Sequence, residues 1–413
     1  MSEAPKSNAW KPAGMPDGVT ENNTPVNVDP ILQSILAGGC ERYGMAAVVL
    51  RGEHIIAQGV AGVRKRGSAE RITLDDRFHL GSCTKAMTAT LVAMLVEEGR
   101  LNWTTTLGEL FADTVKDMNP AWEKVTLRQV LAHRAGLRRD PASQVWVFAY
   151  LVLAYCTGLR LGPDWMRSLQ ARLGPSKGTL PQQRLEIAMK ALSRPPKTPP
   201  GTKASYSNVG YILAGVLLEN ITGRAWEDLM RERLFQPLGI LTGGFGPPGT
   251  AGKTDQPWGH SWVMGKPLDP GSPSADLPLF YGPAGLAHMT MADWAKFVVL
   301  HLRGAPADPH HQAALLKPDT FAELHPAIPA RTYFAGWLIS TASWARGPRP
   351  GDTGRRLWHG GSNGLWNSLV FIAPEIDFAV LVACNRGLDI AGWKAYQAAK
   401  ALIRAFAPKL TSR

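Results

Sequence analysis

The run from Ala86 to Val96 carries no charged residue, and it constrains the fold more than any other feature of the chain. At helical spacing the run is apolar nearly all round, and such a helix is stable only when protein surrounds it. Glu97 and Glu98 end the run, and Gly99 suits a left-handed cap. A chain of 413 residues, 45% of them apolar, is long enough to wrap such a helix. Directly before the run stands Ser82-Cys83-Thr84-Lys85. Residues at i and i+3 share a helix face, which places Lys85 within reach of the Ser82 hydroxyl. A serine is a weak nucleophile until a nearby base takes its proton. A lysine is such a base when its surroundings depress its pKa, and a helix N-terminus favours that direction.

Strand patterns lie at both ends of the chain and helical patterns in the middle. Met45 to Leu50 and His54 to Val60 predict a hairpin turning at Arg51-Gly52-Glu53, preceded by a short helix over Ile31 to Leu36. Ala335 to Ile339, Leu369 to Ile372 and Phe378 to Val382 predict strands, and Ile390 to Phe406 a closing helix. Between them, Leu127 to Leu131, Val145 to Met189, Val209 to Leu217 and Thr290 to Leu302 read as helices, the last with Thr290 and Asp293 as a capping pair. Prolines at 195, 196, 199 and 200 stop the second of these. The Gly- and Pro-rich stretch from Gly243 to Pro283 is expected to be irregular, and a loop of that length in a domain is functional or mobile. The expected fold class is α/β (α+β): an antiparallel sheet flanked by terminal helices, with an inserted all-helical lobe. The expected division is a flexible tail over 1–25, a sheet domain from 26–80 and 326–413, and a mostly helical domain over 81–325 with the cleft at the boundary.

The net charge is +12, but the basic residues are scattered and no nucleic-acid motif accompanies them. A soluble basic surface is the expectation, with steering of an anionic substrate as the alternative. Cys40, Cys83, Cys156 and Cys384 are spaced for neither a zinc site nor a disulfide framework. His310-His311 are adjacent rather than on one helical face, which is wrong for a metal pair. No metal and no cofactor is expected. The most apolar stretch, Val145 to Leu153, extended weakly to Leu161, is too short and too interrupted to span a membrane. No leader-type segment opens the chain, so a cytoplasmic location is expected as given, or a periplasmic one had an export signal been removed.

Two further segments complete the constellation: Tyr206-Ser207-Asn208, just before a helix, and Trp358-His359-Gly360-Gly361-Ser362-Asn363-Gly364, before a strand. With Ser-x-x-Lys, Tyr-x-Asn and His-x-Gly in this order, the chain resembles the serine β-lactamase and penicillin-binding-protein superfamily. The likeness is to the branch with class C β-lactamases, D,D-peptidases and family VIII carboxylesterases. His133-Arg134-Ala135-Gly136-Leu137, Gln236-Pro237-Leu238-Gly239 and Gly282-Pro283-Ala284-Gly285-Leu286 extend the likeness. The resemblance implies that Ser82 is acylated and that Lys85 or Tyr206 is the base, an assignment left open here. It implies that Tyr206 titrates low beside a cation and returns a proton to the leaving group. Asn208 would bind the Lys85 amine or a substrate amide. His359 would stand at the family's lysine position as a titratable cation. Gly361 would let substrate approach the strand, and the backbone N–H groups of Ser82 and Ser362 would form the oxyanion hole. Trp358 and Trp366 flank the motif, where they either line a substrate pocket or pack in the core.

Gly360-Gly361-Ser362-Asn363-Gly364 also fits the Gly-x-Ser-x-Gly pattern, but a strand rather than a helix follows it, so the match is accidental. The expected partner is a small ester or peptide-like substrate, cleaved through an acyl-enzyme by a carboxylesterase-type activity. The alternatives are a D-stereospecific peptidase or amidase, acyl transfer with peptide cyclisation, weak β-lactamase activity, or a silent binding homologue.

Overall fold

The computed structural model describes residues 24–37, 42–138, 177–261, 265–304, 315–326, 331–387 and 390–408. The segment 145–161, most of the expected tail, His310-His311, Cys40 and Cys156 lie outside the described residues.

The strands are β1 (Val26–Asn27), β2 (Met45–Arg51), β3 (His54–Ala61), β4 (Arg77–His79), β5 (Gly244–Phe245), β6 (Gly259–His260), β7 (Pro267–Leu268), β8 (Ala287–Thr290), β9 (Thr332–Phe334), β10 (Trp337–Thr341), β11 (Arg355–Gly361), β12 (Asn367–Ala373) and β13 (Phe378–Cys384). The main sheet runs β1-β3-β2-β13-β12-β11-β10-β9, and β4-β8-β5 form a second, smaller one. The two ends of the chain meet where β13 pairs antiparallel with β2, Leu381 opposite Val48. Side chains alternate across a strand, and here both faces are covered. Met45, Ala47 and Val49 join Leu32, Val380 and Leu402 under the terminal helices Asp29–Leu36 and Ile390–Phe406. Ala46, Val48 and Leu50 join the larger core on the opposite face. That is the expected α/β architecture.

The charge-free run forms the helix Thr84–Glu97, and every residue from Thr84 to Leu95 is buried. Its threonines satisfy their hydroxyls inside the core: Thr88 donates to the Pro283 carbonyl at 2.8 Å and Thr90 to that of Ala86 at 2.8 Å. Gly99, with φ +71°, turns the chain out of it.

The first two residues of the strand expected from Ala335 are a turn instead. Ala335 and Gly336 have φ +49° and +85°, and they join β9 to β10 as a hairpin. A Cβ on Gly336 would lie 2.3 Å from the Ala86 amide nitrogen. Close contact with the buried helix, rather than strand propensity, therefore decides the backbone there. Thr290 caps the helix Met291–Arg303 by accepting from the Asp293 amide, but the Asp293 carboxylate turns to Leu241 and Thr242 instead of closing a capping box.

Candidate active site

Three elements bring the motif residues together. A 3₁₀ turn, Gly81–Cys83, precedes the buried helix and carries Ser82. Thr84 pins this turn: its hydroxyl donates to the Gly81 carbonyl (2.7 Å) and accepts from the Ala287 amide (3.1 Å). Lys85 follows one turn later, fully buried. Asn208 begins the helix Asn208–Thr222, and Tyr206 stands in the extended segment before it. That segment is held by His133, which has a left-handed φ of +57°. The His133 carbonyl accepts from the Ser205 amide at 2.7 Å, and its Nδ1 accepts from the Ser207 amide at 3.3 Å. The His133 ring also packs against the Tyr206 ring, centroids 4.3 Å apart.

Ser82 Oγ lies 2.7 Å from the Tyr206 hydroxyl and 3.0 Å from Lys85 Nζ. Lys85 Nζ donates to Asn208 Oδ1 at 2.8 Å and to the Ala284 carbonyl. Two carbonyl acceptors therefore fix two of its N–H bonds, and its third tetrahedral direction faces the serine. The Ala284 carbonyl has no equivalent in the motif residues read from sequence. It belongs to the Gly282-Pro283-Ala284-Gly285-Leu286 stretch, which was visible only as a likeness.

Burial pushes the Tyr206 phenol well above its ordinary value of 10, and its hydrogen bond with Ser82 offsets this only in part. The residue as a whole is 37% exposed. The expectation of a low-titrating tyrosine is corrected: desolvation is the largest cause, and it raises the phenol.

His359 is corrected in the same way. Burial is the chief cause that pulls its imidazole down to about 3. Its Nδ1 lies 2.7 Å from the Gly360 carbonyl, and its Nε2 lies 3.2 Å from the Tyr333 hydroxyl. Burial holds the Tyr333 phenol well above its ordinary value, so it donates. The ring therefore carries its proton on Nδ1 and is neutral. Tyr333 was not foreseen, because nothing in its local sequence marks it.

The end of β11 lies against the 3₁₀ turn. A Cβ on Gly81 (φ +50°) would sit 2.4 Å from the Ser362 amide nitrogen, and one on Gly361 would sit 2.0 Å from the Leu80 carbonyl and 2.9 Å from the Ser82 amide nitrogen. Only glycine allows this approach. It brings the backbone around Ser82 close to the backbone of Gly361 and Ser362 at the end of β11. Strand β10 pairs with β11 only from Arg355 to Trp358, so residues 359–361 have no strand partner on that side. A cleft of about 410 Å³ opens here, lined by Ser82, Gly360, Gly361, Ser362, Asn367 and Tyr396 among others.

Trp358 and Trp366 do not line it. Trp358 points to the opposite face of the sheet and stacks on Phe371, centroids 5.9 Å apart. Trp366 is buried edge-on against Phe78 at 6.1 Å. Strand alternation sends Trp358 away from His359, and the large apolar area of Trp366 is best buried. Cys83 is also buried beside the site, its thiol pushed up to about 12 by that burial, so it is no competing nucleophile.

The family model described as Beta-lactamase matches residues 32–403. Among curated proteins, the chain is 29% identical over 243 residues to penicillin-binding protein 4 of Amycolatopsis lactamdurans, covering 59% of this chain and 55% of that one. It is 24% identical over 352 residues to the unguisins hydrolase ungD' of Aspergillus campestris, covering 83% of this chain and 58% of that one. The chain thus spans little more than half the length of these two relatives. Among solved structures, a D-stereospecific amidohydrolase from Streptomyces sp. superposes with a TM-score of 0.64 at 24% identity, covering 89% of this chain and 96% of that one. That likeness is one of fold. No helix among the described residues is long and apolar enough to cross a membrane.

Proposed function

Because this chain belongs to the Beta-lactamase family, we propose that it is a serine hydrolase that cleaves an ester or amide through an acyl-enzyme on Ser82. One observation carries the proposal: Ser82 Oγ is held by both Lys85 Nζ and the Tyr206 hydroxyl, at 3.0 and 2.7 Å.

In this reading Lys85 is the base. An unprotonated amine has two N–H bonds and one lone pair. Asn208 Oδ1 and the Ala284 carbonyl take the N–H bonds, which leaves the lone pair facing Ser82. As Ser82 Oγ attacks the carbonyl carbon, its proton passes to Lys85. The carbonyl oxygen becomes an oxyanion and accepts from the N–H groups of Ser82 and Ser362. The Tyr206 phenol, protonated by virtue of its burial, gives its proton to the departing alkoxide or amine and is reprotonated from Lys85. Water then repeats the sequence in reverse on the acyl-enzyme.

The named lining residues carry no charge, and His359 is neutral. This disfavours substrates that need a cation to hold a carboxylate beside the scissile bond, including β-lactams. Small acyl esters are the first expected class. Amides of D-amino acids are the second, a reading supported by the likeness to the D-stereospecific amidohydrolase.

The test is a parallel assay of p-nitrophenyl butyrate, a D-aminoacyl p-nitroanilide and a chromogenic cephalosporin with wild type and Ser82→Ala. Turnover of the ester or anilide by wild type alone, with the cephalosporin slowest, is expected. Equal turnover by wild type and Ser82→Ala overturns the assignment.

A further inference from the structure

We infer that Asp276 is a positioning residue that ties the two halves of the oxyanion hole together. The inference rests on the hydrolase reading above. Asp276 lies in the long Gly- and Pro-rich loop, and its side chain is only 5% exposed. It reaches both walls of the hole.

On one wall, Asp276 Oδ2 is 2.7 Å from His79 Nε2, and the His79 side chain is fully buried. The pair lies off the hydrogen-bond line, so the contact is mainly electrostatic. His79 Nδ1 accepts from the Gly81 amide at 3.1 Å, which puts the ring proton on Nε2, facing the carboxylate. Gly81 immediately precedes Ser82, so this arm fixes the peptide adjacent to the one that carries the Ser82 N–H.

On the other wall, Asp276 Oδ1 accepts from Asn363 Nδ2 at 2.8 Å. Asn363 Oδ1 accepts from the amides of Leu365 and Trp366 at 3.0 and 3.1 Å. The orientation of the Asn363 amide is thereby fixed. These bonds shape the turn that presents the Ser362 N–H. One carboxylate therefore spans from the residue before the first oxyanion donor to the residue after the second.

The arrangement looks like part of a Ser-His-Asp triad, but it does not act as one. The only other nitrogen of His79 is occupied by the Gly81 amide rather than by Ser82 Oγ. Asp276 acts by holding donors in place, and oxyanion donors act mainly in the transition state. Its loss lowers kcat and leaves KM nearly unchanged.

A charge swap tests this. In Asp276→Asn, the new amide keeps His79 but sets an NH2 against the fixed NH2 of Asn363. In Asn363→Asp, two carboxylates face each other. The double variant restores one amide and one carboxylate across the pair, while the Leu277 amide, which donates to Asp276 Oδ1 at 2.7 Å in the wild type, stays without that acceptor. Each single variant is expected to lose about 10- to 100-fold in kcat for p-nitrophenyl butyrate with KM changed less than about twofold, in line with the cost of a misplaced catalytic donor. The double variant is expected to recover a kcat well above that of either single variant. Circular dichroism and thermal melts establish that all three are folded. Singles with wild-type kcat, or a folded double variant that recovers nothing, overturn the inference while the hydrolase reading stands. Absence of Ser82-dependent turnover in the wild type overturns both.

Discussion

Lys85→Met will abolish acylation by esters and amides alike, whereas Tyr206→Phe will abolish it only for amides. The difference follows from which group takes the first proton. Methionine keeps the length of the lysine stem but removes the lone pair facing Ser82 Oγ. It also leaves Asn208 Oδ1 and the Ala284 carbonyl without their donor. A positioned base or acid is worth about 10²–10⁴ in rate, and acylation should fall by that factor with either substrate. Tyr206→Phe removes a hydroxyl whose burial keeps it protonated. A p-nitrophenolate departs without protonation, so the ester burst should stay within about tenfold of wild type. An amine leaving group needs the proton, so the anilide should lose the full factor. Stopped-flow measurement of the first turnover, with both substrates, reads this. An ester burst lost as fully in Tyr206→Phe as in Lys85→Met would make the phenolate the base.

Mild acid will unfold the protein. His260 and His288 are pulled down to about 4, and His301 and His359 to about 3, in each case chiefly by burial. Burial likewise holds His133 and His325 well below their ordinary value. For each ring the folded pKa lies below the unfolded value of 6.5. Between those two values the unfolded chain binds more protons, so stability falls as pH falls. The contribution is whole above pH 6.5 and is lost as pH drops through the folded pKa. At pH 5, each of the first four rings costs about 2 kcal/mol relative to neutral pH. Urea unfolding at pH 7.5, 6 and 5 should show the midpoint falling steeply and monotonically. A midpoint unchanged down to pH 5 would mean that these rings are hydrated rather than buried. The acid loss is one of stability, and His359 has no part in it as a titrating catalytic group.

What the sequence revealed and what it hid divide along a physical line. The Ser82–Lys85 pair and its buried helix were legible because both depend on local spacing and on an apolar pattern. The antiparallel sheet was legible from strand patterns at the two ends of the chain. Protonation states were not, because they depend on what surrounds a side chain. Tyr206 was expected to titrate low and His359 to serve as a titratable cation, and desolvation moves the phenol up and the imidazole down. Of the two readings left open for Trp358, the structure supports packing, because neighbouring residues on a strand face opposite ways and it stacks on Phe371. The Ala335-Gly336 turn follows from contact with the Ala86 backbone, 249 residues away. Asp276 was hidden for the same reason: its partners, His79 and Asn363, are distant in sequence.

In the proposed mechanism Lys85 and Tyr206 activate Ser82 as the one acylated residue. Intact-mass analysis after treatment with a fluorophosphonate, followed by peptide mapping, reads this. A single adduct on Ser82, absent from Ser82→Ala and much slower to form in Lys85→Met, is the predicted result. An unlabelled protein, or an adduct on Ser362 that persists in Ser82→Ala, would contradict it.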